Sequence, residues 1–145
     1  VFNIESEIKG FSMFGKKTAK VQNRIDSLIG AGTVIIGDVT FSGGLRVDGE
    51  IIGNVGSRDN LSATLVVSEN ARIQGSVSVS HVVVNGAILG PVQAPEFLEL
   101  QAKARVTGDV EYTNIEIHLG AVIQGRLVHQ AAPAKTVELK LASKN

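Results

Sequence analysis

The sequence predicts an all-β fold, a single-stranded β-helix (solenoid) of about six turns flanked by disordered N- and C-terminal tails, and three observations predict it. Six segments share one form, in which an aliphatic residue precedes a central glycine by two positions and another follows it by two: TVIIGDV, GEIIGNV, ARIQGSV, GAILGPV, ARVTGDV and AVIQGRL. Between successive copies lies a second period-two alternation: Leu45-Arg46-Val47, Leu65-Val66-Val67, Val82-Val83-Val84, Leu98-Glu99-Leu100 and Ile115-Glu116-Ile117. The composition agrees: 145 residues hold 32 valines and isoleucines and 16 glycines, while aromatics are 4%. Such usage favours strands and turns over a helical bundle, and it lacks the large side chains that fill a stacked-sheet sandwich.

The central glycines are Gly37, Gly53, Gly75, Gly90, Gly108 and Gly125, at intervals of 16, 22, 15, 18 and 17 residues. A unit of about 17 residues cannot bury its own apolar side. Stacked units pair backbone to backbone at about 4.8 Å and close their inward rows into one core, giving a rod of roughly 25 to 30 Å. The inward set is read as Ile35, Val39, Val47, Ile51, Val55, Val67, Ile73, Val77, Val84, Ile88, Val92, Leu100, Val106, Val110, Ile117, Ile123 and Leu127. β-Branched side chains suit this setting because their restricted rotamers tile against like neighbours above and below. The glycines share the inward parity, which marks a crowded corner or a positive φ. The residue before each glycine faces outward. It is apolar at Ile36, Ile52 and Leu89, a candidate lateral-bundling face, and polar at Gln74, Thr107 and Gln124.

A left-handed solenoid keeps strict hexapeptides. The aliphatic-Gly pairs here end at Gly30, Gly37, Gly53, Gly90 and Gly120, and their separations of 7, 16, 37 and 30 do not hold that phase. The irregular spacing suits a right-handed β-helix better, although periodicity by itself leaves the hand open. The domain reading is a flexible N-terminal segment over 1–29, the β-helix over 30–130 and a C-terminal tail over 131–145. The tail contains Val137-Glu138-Leu139-Lys140-Leu141, a short alternation that is either tail or a late strand over the end of the rod.

Lysine plus arginine equals aspartate plus glutamate at 14 each, so the field that a general nucleic-acid binder needs is missing. The balance conceals an acidic middle, with six basic and ten acidic residues over 30–130, between flanks of net charge plus two. Cysteine is absent, which excludes disulfides and thiolate metal sites. No apolar run approaches 18 residues, and Glu5 and Glu7 sit where a secretory apolar core would lie, so the chain is read as soluble and unexported.

The stretch from Asp26 to Val55 resembles the opening of the bactofilin domain: a Leu-Ile-Gly lead-in, an Ile-x-Gly-Asp first turn, Leu45-Arg46-Val47-Asp48-Gly49 and a Gly-Asn-Val close. ARIQGSV, ARVTGDV and AVIQGRL match its continuing pattern, and the similarity covers about Leu28 to Val128. The resemblance implies a right-handed β-helix that polymerises without nucleotide into non-polar filaments. These would lie on the inner face of a bacterial cell membrane, on the cytoplasmic side, scaffolding wall-synthesis or morphogenesis proteins. It further implies a membrane-targeting peptide that begins Met-Phe with small and basic residues. Met13-Phe14-Gly15-Lys16-Lys17 is similar to it, with Val1 to Ser12 either an upstream extension or part of the native chain. Phe14 and Met13 would insert at the headgroup boundary. Lys16, Lys17, Lys20 and Arg24 would each add on the order of 1 kcal/mol near an anionic leaflet, multiplied by avidity along a filament.

No catalytic, cofactor or metal site is expected. His81, His118 and His129 lie at offsets 6, 10 and 4 from their preceding repeat glycines, so they sit on different parts of different turns. There is no Gly-x-Ser-x-Gly elbow and no phosphate loop, and Asp38, Asp48, Asp109 and Glu111 are read as corner or outward carboxylates. Both ends of a β-helix present unpaired strand backbone and are natural joints. The expected polymer interface is Val34, Ile36 and Phe41 at one end and Val122, Ile123, Leu127 and Val128 at the other. Two alternatives from other classes are a left-handed β-helical enzyme of the acyltransferase kind and a β-helical regulator of another cytoskeletal polymer. Filament formation by the purified chain discriminates against both.

Overall fold

The computed structural model describes residues 25–58 and 62–131. Among these, eighteen short strands wind into a parallel solenoid of six turns with three strands per turn, and there is no α-helix. Each turn contributes one strand to each of three six-stranded parallel sheets. The first sheet runs from Ser27–Ile29 to Ile115–Ile117, the second from Val34–Ile36 to Val122–Gln124, and the third from Val39–Phe41 to Leu127–His129.

The register stacks like on like, as the repeat requires. In the second sheet Ile35, Ile51, Ile73, Ile88, Val106 and Ile123 form one inward column. In the third, Val39, Val55, Val77, Val92, Val110 and Leu127 form another. Within the middle turns these side chains are 0–2% exposed. The first sheet supplies two inward columns. Val47, Val67, Val84 and Leu100 belong to the predicted inward set, and Leu45, Leu65, Val82 and Leu98, two positions earlier on the same strands, are buried beside them. Buried Ala71, Val79 and Ala104 fill corners, and buried Ala63 and Ala94 the strand ends beside them.

The irregular repeat length originates in the corners. The corner after the second sheet always has two residues and begins with the repeat glycine. The corner after the first sheet has four residues in turns one, three, five and six and two in turns two and four. Each four-residue corner is closed by its last N–H, as in Ala71 donating to the Ser68 carbonyl at 2.9 Å and Ala104 to Gln101 at 3.0 Å. The 22-residue interval adds its extra length between Ser57 and Ala63. Short corners pack closely against the long corner of the preceding turn. A Cβ added to Gly86 would lie 2.8 Å from the Ala71 carbonyl oxygen, so only glycine fits.

The repeat glycines form a column of their own. Gly108 has φ +143°, and a Cβ there would lie 2.6 Å from the Gly90 carbonyl oxygen of the turn below. A side chain is excluded twice, by backbone conformation and by the stacking distance between turns.

Candidate assembly surfaces

Along the middle of the rod each strand is hydrogen-bonded on both edges, and among the described residues the strand edges without a partner fall at the two ends. Inward columns also end there, and their last members lose the neighbour that buried them. Leu127 tops the third-sheet column at 46% exposed and Ile117 tops a first-sheet column at 48%, against 0% for Val110 and Leu100 directly beneath. The sequence assigned both to the core by parity. The structure keeps them in the column and leaves them open, with no further turn above them among the described residues.

The other expected interface residues fall as follows. At the N-terminal end Val34 and Ile36 are exposed on the outer face of the first turn, Ile36 at 81%. Phe41 is buried in the core cluster and supports that end from within. At the opposite end Val122 is exposed, Ile123 is half-buried against the core, and Val128 is half-buried on the outer face of the third sheet. The sequence reading did not single out Leu28 or Leu119, which are also open at the ends. Leu119 lies outside the repeat motif, on the last long corner, and no periodicity marks it.

The candidate lateral column runs Ile36, Ile52, Gln74, Leu89, Thr107, Gln124 in register on the outer face of the second sheet. Its apolar members cluster toward the first turn. Met13, Phe14, Lys16, Lys17 and Lys20 lie outside the described residues, as do Val137 to Leu141.

Polar side chains at the corners brace the turns against one another. Asp38 Oδ1 accepts from the Asn54 N–H and Asn54 Oδ1 from the Ser76 N–H, both at 2.9 Å, and Asp109 Oδ1 accepts from the Arg126 N–H at 3.1 Å. That N–H bond, joined by the Arg126 charge, holds the Asp109 carboxyl below its ordinary 3.8. A carboxyl with a depressed folded-state pKa contributes stability above its unfolded pKa and loses it as pH falls through the folded value. Asp109→Asn keeps an acceptor oxygen and removes the titration. Its thermal midpoint is therefore expected to fall less than that of wild type between roughly pH 5 and pH 2, measured by circular dichroism. Equal declines would refute the assignment.

A recess of about 540 Å³ runs beside the first-sheet corners and is lined by Arg46, Asp48, Val66, Ser68, Val83 and Asn85 among others. Arg46 pairs with Asp48 at 3.1 Å, and a hydrogen bond from Ser68 lowers the Asp48 pKa. These groups satisfy one another and form no nucleophile–base pair. The three histidines occupy separate positions, as their offsets implied, but His118 meets two carboxylates, Glu99 and Glu116. The spacing of the histidines does not mark this group, because its carboxylates come from two neighbouring turns.

Among the described residues no helix is long and apolar enough to cross a membrane. Residues 27–128, more than two thirds of the chain, match the family model for bactofilin, described as polymer-forming cytoskeletal. Two curated relatives are from Myxococcus xanthus. The chain is 29% identical to bactofilin BacP over 112 residues, which is 77% of this chain and 45% of that protein. It is 25% identical to bactofilin BacO over 114 residues, 79% of this chain and 85% of that one. The chain thus spans under half the length of BacP and most of BacO. No solved structure matches. A glycine-cornered parallel solenoid, sealed along its sides and apolar at its ends, carries the match over nearly its full described length, and the chain belongs to the bactofilin family of polymer-forming cytoskeletal proteins.

Proposed function

We propose that this chain is a structural protein, not an enzyme, that self-polymerises end to end without nucleotide into non-polar filaments. These lie on the inner face of the cell membrane and scaffold cell-wall or cell-shape proteins. The observation that carries the reading is the contrast between a rod whose middle turns bury their inward columns completely and a last described turn that leaves the column members Ile117 and Leu127 open, beside strand edges without a partner among the described residues. Joining two ends buries apolar surface at roughly 25 cal/mol per Å² and adds strand pairing without loop closure. The peptide at 13–24 leads directly into the first described residue, Ile25, so each subunit of a filament would present Met13, Phe14, Lys16, Lys17 and Lys20 to an anionic leaflet.

Negative-stain microscopy and vesicle sedimentation of the whole chain and of a version lacking residues 1–24 test both halves. Filaments are expected from both proteins, and pelleting with phosphatidylglycerol vesicles from the whole chain alone. A chain that stays monomeric at high concentration in light scattering would refute polymerisation. Equal pelleting of the two proteins would refute the membrane peptide.

A further inference from the structure

We propose that Glu99, Glu116 and His118 form a binding site for a divalent transition-metal ion of the zinc class, clamping the fifth turn to the sixth. The inference is independent of filament formation. Strand geometry assembles the site. Glu116 and His118 are two positions apart, so both project from the outer face of the first sheet, and the register sets Glu99 directly opposite Glu116. His118 continues that ladder, its N–H donating to the Leu100 carbonyl at 2.8 Å.

The donor spacing fits a small cation. His118 Nε2 lies 3.1 Å from Glu116 Oε2 and 3.2 Å from Glu99 Oε2, and all three donor atoms fall within 4.8 Å of one another. Zinc bonds of about 2.0–2.1 Å in tetrahedral geometry separate neighbouring ligand atoms by about 3.3 Å. Two edges already have that length, and the third closes by rotation of the more exposed Glu116, whose side chain is 57% accessible against 22% for Glu99. Gln101 Nε2 donates to Glu99 at 3.1 Å and holds that carboxylate in place.

Charge points the same way. Directly opposed carboxylates destabilise a sheet, and among the described residues neither Glu99 nor Glu116 has an arginine or lysine ion pair. The imidazole and the Gln101 amide face them, and a cation held between the two carboxylates would neutralise their charge. One imidazole with two carboxylates suits zinc-class ions over calcium or magnesium, which favour all-oxygen shells. Three protein ligands leave one position open. Among the described residues the sixth turn is paired on one side only, so a clamp here ties an end turn to its neighbour.

Calorimetric titration of zinc chloride into the whole chain is expected to give one ion per chain. Glu116→Gln and His118→Gln should each weaken binding at least about tenfold, and His81→Gln should leave it unchanged. Zinc should also raise the thermal midpoint of wild type and not of His118→Gln, and should shift the His118 Nε2 resonance ahead of those of His81 and His129. Metal-free melts of the variants report whether they fold, and the resonance shift in wild type needs no variant. Equal affinity in wild type and His118→Gln would overturn the site, as would a His118 resonance that responds to pH but not to zinc, the mark of an imidazole bonded to carboxylates alone.

Discussion

Gly108→Ala is expected to destabilise the rod by about 3 kcal/mol or more, a fall of roughly 10–20 °C in the thermal midpoint. The new methyl group would meet the Gly90 carbonyl oxygen at 2.6 Å, and the φ of +143° is itself strained for any L side chain. The obstacle is backbone of an adjacent turn, fixed by pairing on both sides, so it cannot rotate away as a flexible side chain would. Gly56→Ala is the control. Gly56 lies outside the glycine column, and the nearest atom to its added Cβ is the Ser78 carbonyl oxygen at 3.7 Å, an ordinary contact. Its midpoint should stay within a few degrees of wild type. Equal losses in the two variants, read by circular dichroism, would show that glycine flexibility and not the stacked column governs the corners.

Leu127→Arg is expected to raise the concentration needed for filaments about 30-fold or more, the effect of losing a central contact worth about 2 kcal/mol. Leu127 is 46% exposed, so the monomer loses little on substitution, and the arginine stem can lie across the end while its charge stays in water. In a joint that charge would be buried without a partner. At concentrations where wild type polymerises, light scattering and microscopy should therefore show folded protein with a near-wild-type melt in species no larger than a dimer. Unchanged filaments would remove this end from the joint, and Ile36→Arg would then test the other.

How much was legible in the sequence differs by element. The second-sheet strand, the glycine and the third-sheet strand form one continuous motif of constant length, and parity placed Ile51, Ile73, Ile88, Val55 and Val92 in the core without error. The first-sheet strands were recognised as alternations, yet only the later of the two inward residues on each was assigned, although Leu45, Leu65, Val82 and Leu98 share its parity and are as deeply buried. Leu119 could not be found from pattern, since it sits on a corner. The Glu99–Glu116–His118 group was hidden because its members are 17 and two residues apart in sequence, and only the register between turns five and six makes them neighbours.

By itself the sequence determined the solenoid, the number of its turns and the glycine corners. Those follow from local periodicity and from steric rules that act within one repeat and between identical repeats. The tertiary structure decided which members of the inward columns are buried. Ile117 and Leu127 share the parity of Leu100 and Val110, and no local signal separates them. Both lie in the last described turn, which is paired on one side only among the described residues, whereas Leu100 and Val110 have a paired strand on each side. The same physics that makes the middle of the chain a sealed core leaves its ends apolar and open.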